Sequence, residues 1–200
     1  ADGFVQRDRN GQIYHGTILE HLLLQNVTAF FNVGDHYNLR LEDADWNDAL
    51  DQAAEKGETV AFTAFYAGNL RELTGLLQAL RDREGCTTIE LAAEMLILFD
   101  SLHGKLDYDS VVAKRTLLNR YFDACQHTIG GKKVKVKIDD LIADLTAKAD
   151  WLMEHLRKQE WLENAKGFAW FNGYYDNAGK RVEGDHPTGV RITLTGQVFT

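Results

Sequence analysis

The sequence predicts a mainly α-helical protein in which helices pack on helices and short β-hairpins form parts of the loops. Two observations support this fold class. The 200 residues contain a single proline, Pro187, where average usage of about 5% would give about ten. Apolar residues also recur at helical spacing in five separate segments. Because each helix then carries one apolar face, the segments are expected to pack against one another.

The composition excludes several classes of function. Lys and Arg together number 22 and Asp and Glu 30, so the formal net charge is −8. Neither a nucleic acid nor a membrane is an expected partner, because both are bound through a basic face and no apolar run approaches the roughly 20 residues of a membrane span. Two cysteines, Cys86 and Cys125, are too few for a disulfide scaffold or a zinc site. They are expected to be buried reduced thiols, and this predicts a cytoplasmic protein.

The first elements are a hairpin and a helix. Residues 4–6 and 12–14 flank Asn10-Gly11, and Asn-Gly is a strong signal for a tight hairpin turn. Apolar residues three and four positions apart then predict a helix over 17–31.

A polar, acidic stretch from 34 to 58 separates this helix from three further helical segments. In each of the three, apolar residues again recur at helical spacing. The helices are predicted over 60–80, 89–102 and 110–125.

Lysine alternates with valine or isoleucine over 132–138, which predicts a short strand with one solvated face. With a net charge of −8, an exposed hairpin arm is a better interpretation of these lysines than a nucleic-acid contact. The most regular amphipathic helix follows over 138–156. Asp139 and Asp140 open it, where the helix dipole favours anions.

The residue composition changes after this helix. Residues 168–177, here called the aromatic segment, read as strands rather than as helix. Ala178-Gly179 predicts a turn that leads into residues 180–182.

Residues 41–51, here called the acidic segment, place five carboxylates around one tryptophan. A calcium loop is excluded, although its first three ligand positions match. The sixth position is Asp48 where glycine is needed, and the twelfth is Ala54 where a bidentate glutamate belongs.

Two interpretations of the acidic segment stay open. It could be an acidic helix start, capped by Asp43 or Asp45, with the remaining carboxylates solvated. It could also be a sugar site, because Trp46 offers a flat apolar face to a pyranose ring and Asp48 could protonate a glycosidic oxygen. A bulky tryptophan is costly to expose unless it is used, which favours the sugar site.

Residues 34–58, in which Asp45 to Asp48 precede Gly57 to Val60, resemble the active-site segment of the cellobiose-phosphorylase family (glycoside hydrolase family 94-like). The run from Trp170 to Asn177 is similar to the family's aromatic segment. Near the end, Leu194 to Gly196, here called the Thr-Gly motif, looks like its phosphate loop.

The resemblance implies an enzyme of the glycosyltransferase class, an inverting phosphorylase that converts a β-linked gluco-oligosaccharide to α-sugar-1-phosphate. Asp48 would be the general acid, and Trp46 and Asp45 would bind the sugar. Thr195 and Gly196 would bind inorganic phosphate, which is the co-substrate. No cofactor and no metal is implied.

The resemblance also implies that residues 1–200 are a single region, a segment of a larger (α/α)6-barrel catalytic domain. A complete barrel of twelve helices needs about twice this length. The chain has no initial methionine and stops within an apolar stretch. It is therefore expected to be active only as part of the full-length protein, and its macromolecular partner to be a second copy or the remainder of its own chain.

The chain departs from the family pattern over 49–55, where the usual glycine-rich stretch is missing. His127 and His186 are the candidates for the family's phosphate-binding histidine. Each also fits an exposed position in a loop.

Two other functions stay open. An inverting hydrolase would need a second carboxylate to activate water, and Glu183, Asp185 or Asp176 could supply it. A carbohydrate-binding fragment without catalysis would use residues 168–175 as a sugar platform, although so dense a group of aromatic residues more often forms core.

Overall fold

Helices and small antiparallel sheets share the fold. The computed structural model describes residues 5–41, 53–186 and 189–200. Of the chain, 51% is helical and 18% is strand, so the protein is mixed α/β. The prediction of a mainly α fold, and of a segment of an (α/α)6 barrel, is therefore wrong. The strands that overturn it are short, and two of their pairings, β2 with β7 and β3 with β4, join segments distant in the sequence.

Five α-helices are described. Four of the predicted helices are confirmed with ends that shift by a few residues, because their apolar spacing is a local property of the sequence. The helices are α1 (Ile18–Phe31), α2 (Val60–Glu84), α3 (Val111–Cys125), α4 (Ile138–His155) and α5 (Leu194–Phe199).

Nine strands are described, and every strand pair is antiparallel. Strands β1, β2 and β7 form a three-stranded sheet with β2 in the middle, whereas β3 pairs with β4, β5 with β6 and β8 with β9. The strands are β1 (Leu39–Arg40), β2 (Glu58–Thr59), β3 (Thr88–Ala92), β4 (Lys133–Lys137), β5 (Trp161–Glu163), β6 (Ala169–Phe171), β7 (Tyr174–Tyr175), β8 (Gly184–His186) and β9 (Gly189–Arg191).

The predicted helix over 89–102 is wrong. Its first part is strand β3, and the rest forms two 3-10 helices, Ala93–Ile97 and Asp100–Leu102. Strand β3 pairs along its whole length with β4, the lysine-alternating strand that the sequence does predict. A short apolar run fits a strand as well as a helix, and here the distant partner decides between them.

Contacts divide the chain into two compact units. Unit 1 comprises Ala1–Phe31 and Leu70–Ala147, and unit 2 comprises Asn32–Asn69 and Lys148–Thr200. Of the three boundaries along the chain, the first follows the end of α1, and the other two fall inside α2 and α4.

The core of unit 1 contains aromatic residues of α1. The rings of Phe30 and Phe31 meet edge to face at 5.0 Å, and Phe30 meets Tyr108 at 4.9 Å. The ammonium group of Lys114, a fully buried residue, lies 4.2 Å from the centre of the Phe30 ring, where the ring quadrupole attracts it.

The core of unit 2 forms around the two tyrosines of β7. Tyr174 packs with Leu41 and Ala53, and Tyr175 packs with a group that includes Val60 and Leu156. These contacts bring both sides of the acidic segment against the aromatic segment.

Both cysteines are free thiols. Cys125 is half-buried, but Cys86 is exposed, so the prediction that both are buried is wrong for Cys86. Within the described residues, no helix combines the length and the apolarity needed to cross a membrane.

Candidate functional site

The predicted acid and sugar-binding residues, Asp48, Trp46 and Asp45, lie outside the described residues. The chain on both sides of them is described, however, and it is held together by strand pairing. Strands β1 and β2 are adjacent in one sheet, and the Leu41 N–H donates to the Gly57 carbonyl at 2.8 Å. Residues 42–56 therefore form a connection whose two ends are fixed side by side, a common arrangement for loops that carry function.

A side chain of the aromatic segment also hydrogen-bonds to residues of this connection. The side-chain amide oxygen Oδ1 of Asn177 accepts hydrogen bonds from the N–H groups of Glu55 and Lys56, at 3.0 and 2.8 Å. Strand β2 also pairs with β7, which places Glu58 opposite Tyr175 and Thr59 opposite Tyr174. The first and second motifs of the resemblance are thus in direct contact.

The Thr-Gly motif packs on the aromatic segment as well. The side chain of Thr195, which is half-buried, hydrogen-bonds to Tyr174. Gly196 is buried, and a Cβ atom there would lie 3.0 Å from the Cα atom of Gly173, so only glycine allows this approach without a shift.

One further residue of α5 fixes this contact. The side-chain amide of Gln197 accepts from the Phe171 N–H at 3.0 Å and donates to the Phe171 carbonyl at 2.7 Å. The helix that carries Thr195 and Gly196 is therefore held against β6 by two reciprocal hydrogen bonds.

Glu183 lies beside the same contact. It is 4% exposed and accepts hydrogen bonds from the N–H and the hydroxyl of Thr193 and from the backbone of Gly173. Its Oε2 atom is buried without a hydrogen-bond partner among the described residues. Burial raises the pKa of Glu183 above its usual value, and the hydrogen bonds oppose this only in part.

The remaining candidate carboxylates have simpler roles. Asp176 accepts from the N–H groups of Ala178 and Lys180, at 2.9 and 2.8 Å, and Gly179 adopts a φ of 72°. The predicted turn at Ala178-Gly179 is confirmed, and Asp176 stabilises it. Asp185 is exposed on β8.

Of the two candidate phosphate-binding histidines, the structure describes the side chain of His127 and only the backbone of His186. His127 is exposed and belongs to unit 1, whereas the Thr-Gly motif belongs to unit 2. The backbone of His186 forms the end of β8.

The most elaborate hydrogen bonding in unit 2 involves a glutamate to which the sequence interpretation gives no role. Glu58 is 2% exposed, and its carboxylate accepts from the N–H groups of His36 and Asn38, each at 3.0 Å. Between them, Tyr37 has a φ of 65°, so the two N–H groups converge on one anion. The His36 ring nitrogen Nδ1 also lies 2.8 Å from Glu58.

Two opposing effects act on the pKa of Glu58. Burial raises it, and this is the larger effect, whereas the hydrogen bonds from His36 and Asn38 lower it. The net direction is a pKa above the usual value. Glu58 is thus a buried carboxyl group whose ionisation is disfavoured, at the strand that leaves the acidic segment.

A second buried glutamate completes the network. Glu160 is fully buried and accepts from the side-chain amides of Asn38 and Asn172, at 2.6 and 3.1 Å, and from the Tyr175 hydroxyl at 3.0 Å. It ends the single π-helical turn Leu156–Glu160 that follows α4. Such turns are rare, and they occur frequently at functional sites.

Tyr175 connects the two carboxylates. The His36 ring stacks on the Tyr175 ring with centroids 3.8 Å apart and planes within 10°. The Arg181 Nε donates to the Tyr175 hydroxyl at 3.3 Å. Burial, together with the nearby Glu160, raises the pKa of Tyr175 to about 12, so the phenol stays protonated at neutral pH.

Sequence reasoning missed Glu160 because nothing local marks it. It ends the run Arg157-Lys158-Gln159-Glu160, which reads as a solvated helical face. The signal for Glu58 was present, since it follows Gly57 within the first motif, but the motif does not say what the carboxylate binds. Within the described ranges, no three His, Cys, Asp or Glu side chains come together in a group that could hold a metal ion.

No protein-family model matches the chain, and no curated protein matches it.

Proposed function

We propose that the chain carries the catalytic acid of an inverting glycoside phosphorylase, an enzyme of carbohydrate metabolism. One observation carries this proposal. The described parts of the three motifs on which the sequence resemblance depends belong to unit 2, where Glu58 and Thr59 of β2 pair with Tyr175 and Tyr174 of β7 and the Thr195 side chain hydrogen-bonds to Tyr174.

The reaction needs one acid and one anion. Asp48 donates a proton to the glycosidic oxygen while the bond between that oxygen and the anomeric carbon breaks. A phosphate oxygen forms the new bond to the anomeric carbon from the opposite face, which gives α-sugar-1-phosphate and a shortened gluco-oligosaccharide. Phosphate is already an anionic nucleophile at neutral pH, and so no second carboxylate is needed as a base.

The other residues bind the two substrates. Trp46 offers its ring face to the sugar, and Asp45 accepts hydrogen bonds from sugar hydroxyls. Thr195 and Gly196 donate to phosphate oxygens from their position beside the aromatic segment. The Glu58 network contributes by holding the strands from which the acid-bearing connection begins and ends.

Two of the three carboxylates that a hydrolase could use, Glu183 and Asp176, are poorly placed to activate water. A hydrolase would need an ionised carboxylate in contact with water. Glu183 is buried with a raised pKa, and Asp176 is engaged in a turn. Asp185 is exposed on the β8–β9 hairpin.

A role as a simple sugar platform is also disfavoured. Trp170, Tyr174 and Tyr175 are each 5% exposed or less, so these rings form core. Phe168, at 66% exposed, is the aromatic residue of that run with the greatest solvent contact. We place the reaction in the cytoplasm, in keeping with the two free thiols.

The acid assignment is tested by Asp48→Asn in the full-length enzyme. The rate of sugar-1-phosphate release is expected to fall about 10²–10⁴-fold, because the variant cannot protonate the leaving oxygen. Asp123→Asn, the same change at an exposed position of α3, is the matched control and should keep full activity. Near-normal activity of Asp48→Asn would overturn the assignment.

The phosphate assignment has its own test. Thr195→Ala should raise the KM for phosphate by about tenfold, because a hydrogen bond to a charged group is lost, while the KM for the sugar stays unchanged. Thr195→Ser keeps the hydroxyl and should restore phosphate binding. Omitting phosphate should stop the reaction, whereas continued release of free sugar would identify a hydrolase.

A further inference from the structure

Unit 1 contains a cavity of about 320 Å³ that the phosphorylase proposal does not use. Its walls come from the N-terminal hairpin, α1, the 3-10 helix after β3, and α3. All of its lining residues belong to unit 1. The volume falls at the small end of the range for sites that bind small molecules, about 300–1,000 Å³.

Two carboxylates line this cavity. Glu20 is 6% exposed, and its Oε2 atom accepts from the Tyr14 hydroxyl at 3.0 Å and from the Ala92 N–H at 3.1 Å. The Oε1 atom of Glu94 accepts from the Gly130 N–H at 2.6 Å. The other oxygen of Glu94, Oε2, is buried and has no hydrogen-bond partner among the described residues. A buried anionic oxygen without a donor is costly, and a bound cation would remove that cost.

The aromatic side chains that line the cavity also favour a positively charged ligand. Burial raises the pKa of both Tyr14 and Tyr121, so both phenols stay neutral. Glu20 adds to this effect at Tyr14, whereas at Tyr121 the Cys125 thiol adds more than Glu94 and Glu20 do. The Tyr14 ring already attracts a cation, because the Lys133 Nζ lies 5.3 Å from its centre while donating to the His15 carbonyl.

The lining offers little positive charge of its own. Among the lining residues that the structure describes there is no Lys or Arg, and His21 is the one basic side chain. Leu24, Met95 and Ile129 supply an apolar wall. An anion would meet two carboxylates here, and a neutral apolar molecule would leave both of them without a counter-charge.

We propose that this cavity binds a small organic ammonium ion that carries an apolar or aromatic body. The ammonium group lies against the carboxylates of Glu20 and Glu94, and the body packs on Leu24, Met95 and Ile129. This proposal does not depend on the glycoside chemistry of unit 2, because the cavity shares no residue with that site.

The chain offers a direct probe, because it contains only two methionines. Met95 is 2% exposed and lines the cavity, whereas Met153 packs against the Val60 cluster of unit 2. In protein labelled with ¹³C at the methionine methyl groups, 2-phenylethylamine should shift the Met95 signal in a saturable way. The Met153 signal should not move.

Two analogues of the same shape, one uncharged and one anionic, complete the measurement. 2-Phenylethanol should bind at least about tenfold more weakly than the amine, and phenylacetate should not shift the Met95 signal. Equal binding of the alcohol and the amine would overturn the proposal, as would equal movement of both methionine signals. This comparison uses the unmodified chain, so it does not depend on the folding of a variant.

A matched pair of variants tests the carboxylate. Glu94→Gln still offers an oxygen to the Gly130 N–H but removes the charge, so amine binding should weaken at least about tenfold while alcohol binding stays unchanged. Glu90→Gln makes the same change at an exposed position of β3 that does not line the cavity, and it should leave amine binding unchanged. Unaltered amine binding by Glu94→Gln would contradict the proposed contact.

Discussion

A single carboxylate, Glu58, satisfies two backbone donors and one ring nitrogen in the turn before β1. Glu58→Ala would leave the N–H groups of His36 and Asn38 without an acceptor. Each unsatisfied buried donor costs about 1–3 kcal/mol, so the free energy of unfolding should fall by about 2–5 kcal/mol in urea titrations. Glu163→Ala, an exposed glutamate on β5, is the control and should change it by less than about 0.5 kcal/mol. Equal effects would contradict the role of Glu58.

The raised pKa of Glu183 makes stability depend on pH. A carboxyl group with a raised pKa binds its proton more tightly in the folded chain than in the unfolded one. Its contribution to stability is therefore complete below the usual value of 4.5 and is lost as the pH rises through the folded pKa.

Glu183→Gln removes this ionisation, so the difference in Tm between the variant and the parent protein should become more positive as the pH rises from 4.5 to about 8. Melting curves at closely spaced pH values measure it. Glu163→Gln, which changes an exposed carboxylate, should show a flat difference. If the Tm difference for Glu183→Gln instead falls as the pH rises, the fold stabilises the ionised form of Glu183, which would contradict this prediction.

The two thiols should react at different rates. Cys86 is exposed, whereas Cys125 is half-buried and burial raises the pKa of its thiol, which lowers the thiolate fraction. With iodoacetamide at pH 8, mass spectrometry should find Cys86 alkylated at least about tenfold faster than Cys125. Similar rates would mean that the half-buried position does not protect Cys125.

Among the elements, α3 has a clear start signal. The Ser110 hydroxyl oxygen accepts from the Ala113 N–H at 3.2 Å, which satisfies one of the unpaired donors of the first turn. Ser110→Ala should lower the free energy of unfolding by about 1 kcal/mol. Ser110→Asp provides the control, since aspartate caps helices equally well and should restore stability; a similar loss in both variants would exclude capping as the cause.

Elements with strong local signals could be predicted from the sequence. Helices α1, α2, α3 and α4 follow from their apolar spacing, and β4 follows from alternating lysines. Strand β3 could not be predicted, because Ile89 and Leu91 sit opposite Val136 and Val134, far along the chain. The sequence of a five-residue strand does not identify the segment with which it pairs.

The candidate site, like the fold, could be predicted from the sequence only in part. Motifs with unusual residue types, such as the acidic segment and the Thr-Gly motif, can be read from the sequence, and the structure brings their described neighbours together. The Glu160 network could not be predicted, because its partners come from two other segments of the chain, Asn38 from one and Asn172 and Tyr175 from the aromatic segment. Only the tertiary fold turns an ordinary polar residue at the end of a helix into a buried acceptor.

For the whole molecule, the predicted fold class, mainly α, was wrong. The chain passes from unit 1 to unit 2, back to unit 1 and again to unit 2. Strands of two to five residues pair in small sheets, and β2–β7 and β3–β4 join distant segments. Composition and periodicity detect long helices well, but they give little weight to such short strands, and so the sequence looked more helical than the protein is.

The two proposed sites use different units and share no residue. We therefore expect their variants to act independently. Asp48→Asn should leave the Kd for 2-phenylethylamine unchanged, and Glu94→Gln should leave phosphorolysis in the full-length enzyme unchanged. Titration and activity assays on the same two proteins measure this, and a change in the unmutated site would reveal coupling between them.

The paired ends of the connection from 42 to 56 have a consequence for how this protein could be altered. Because β1 and β2 already hold the ends together, the entropy of closing the loop depends only weakly on its length, and doubling it costs about 0.6 kcal/mol. Residues inserted after Leu41 and before Ala53, which leaves these two core residues and the strand pairing in place, should therefore be tolerated. The sequence of this stretch can therefore be exchanged without rebuilding the sheet that holds its ends.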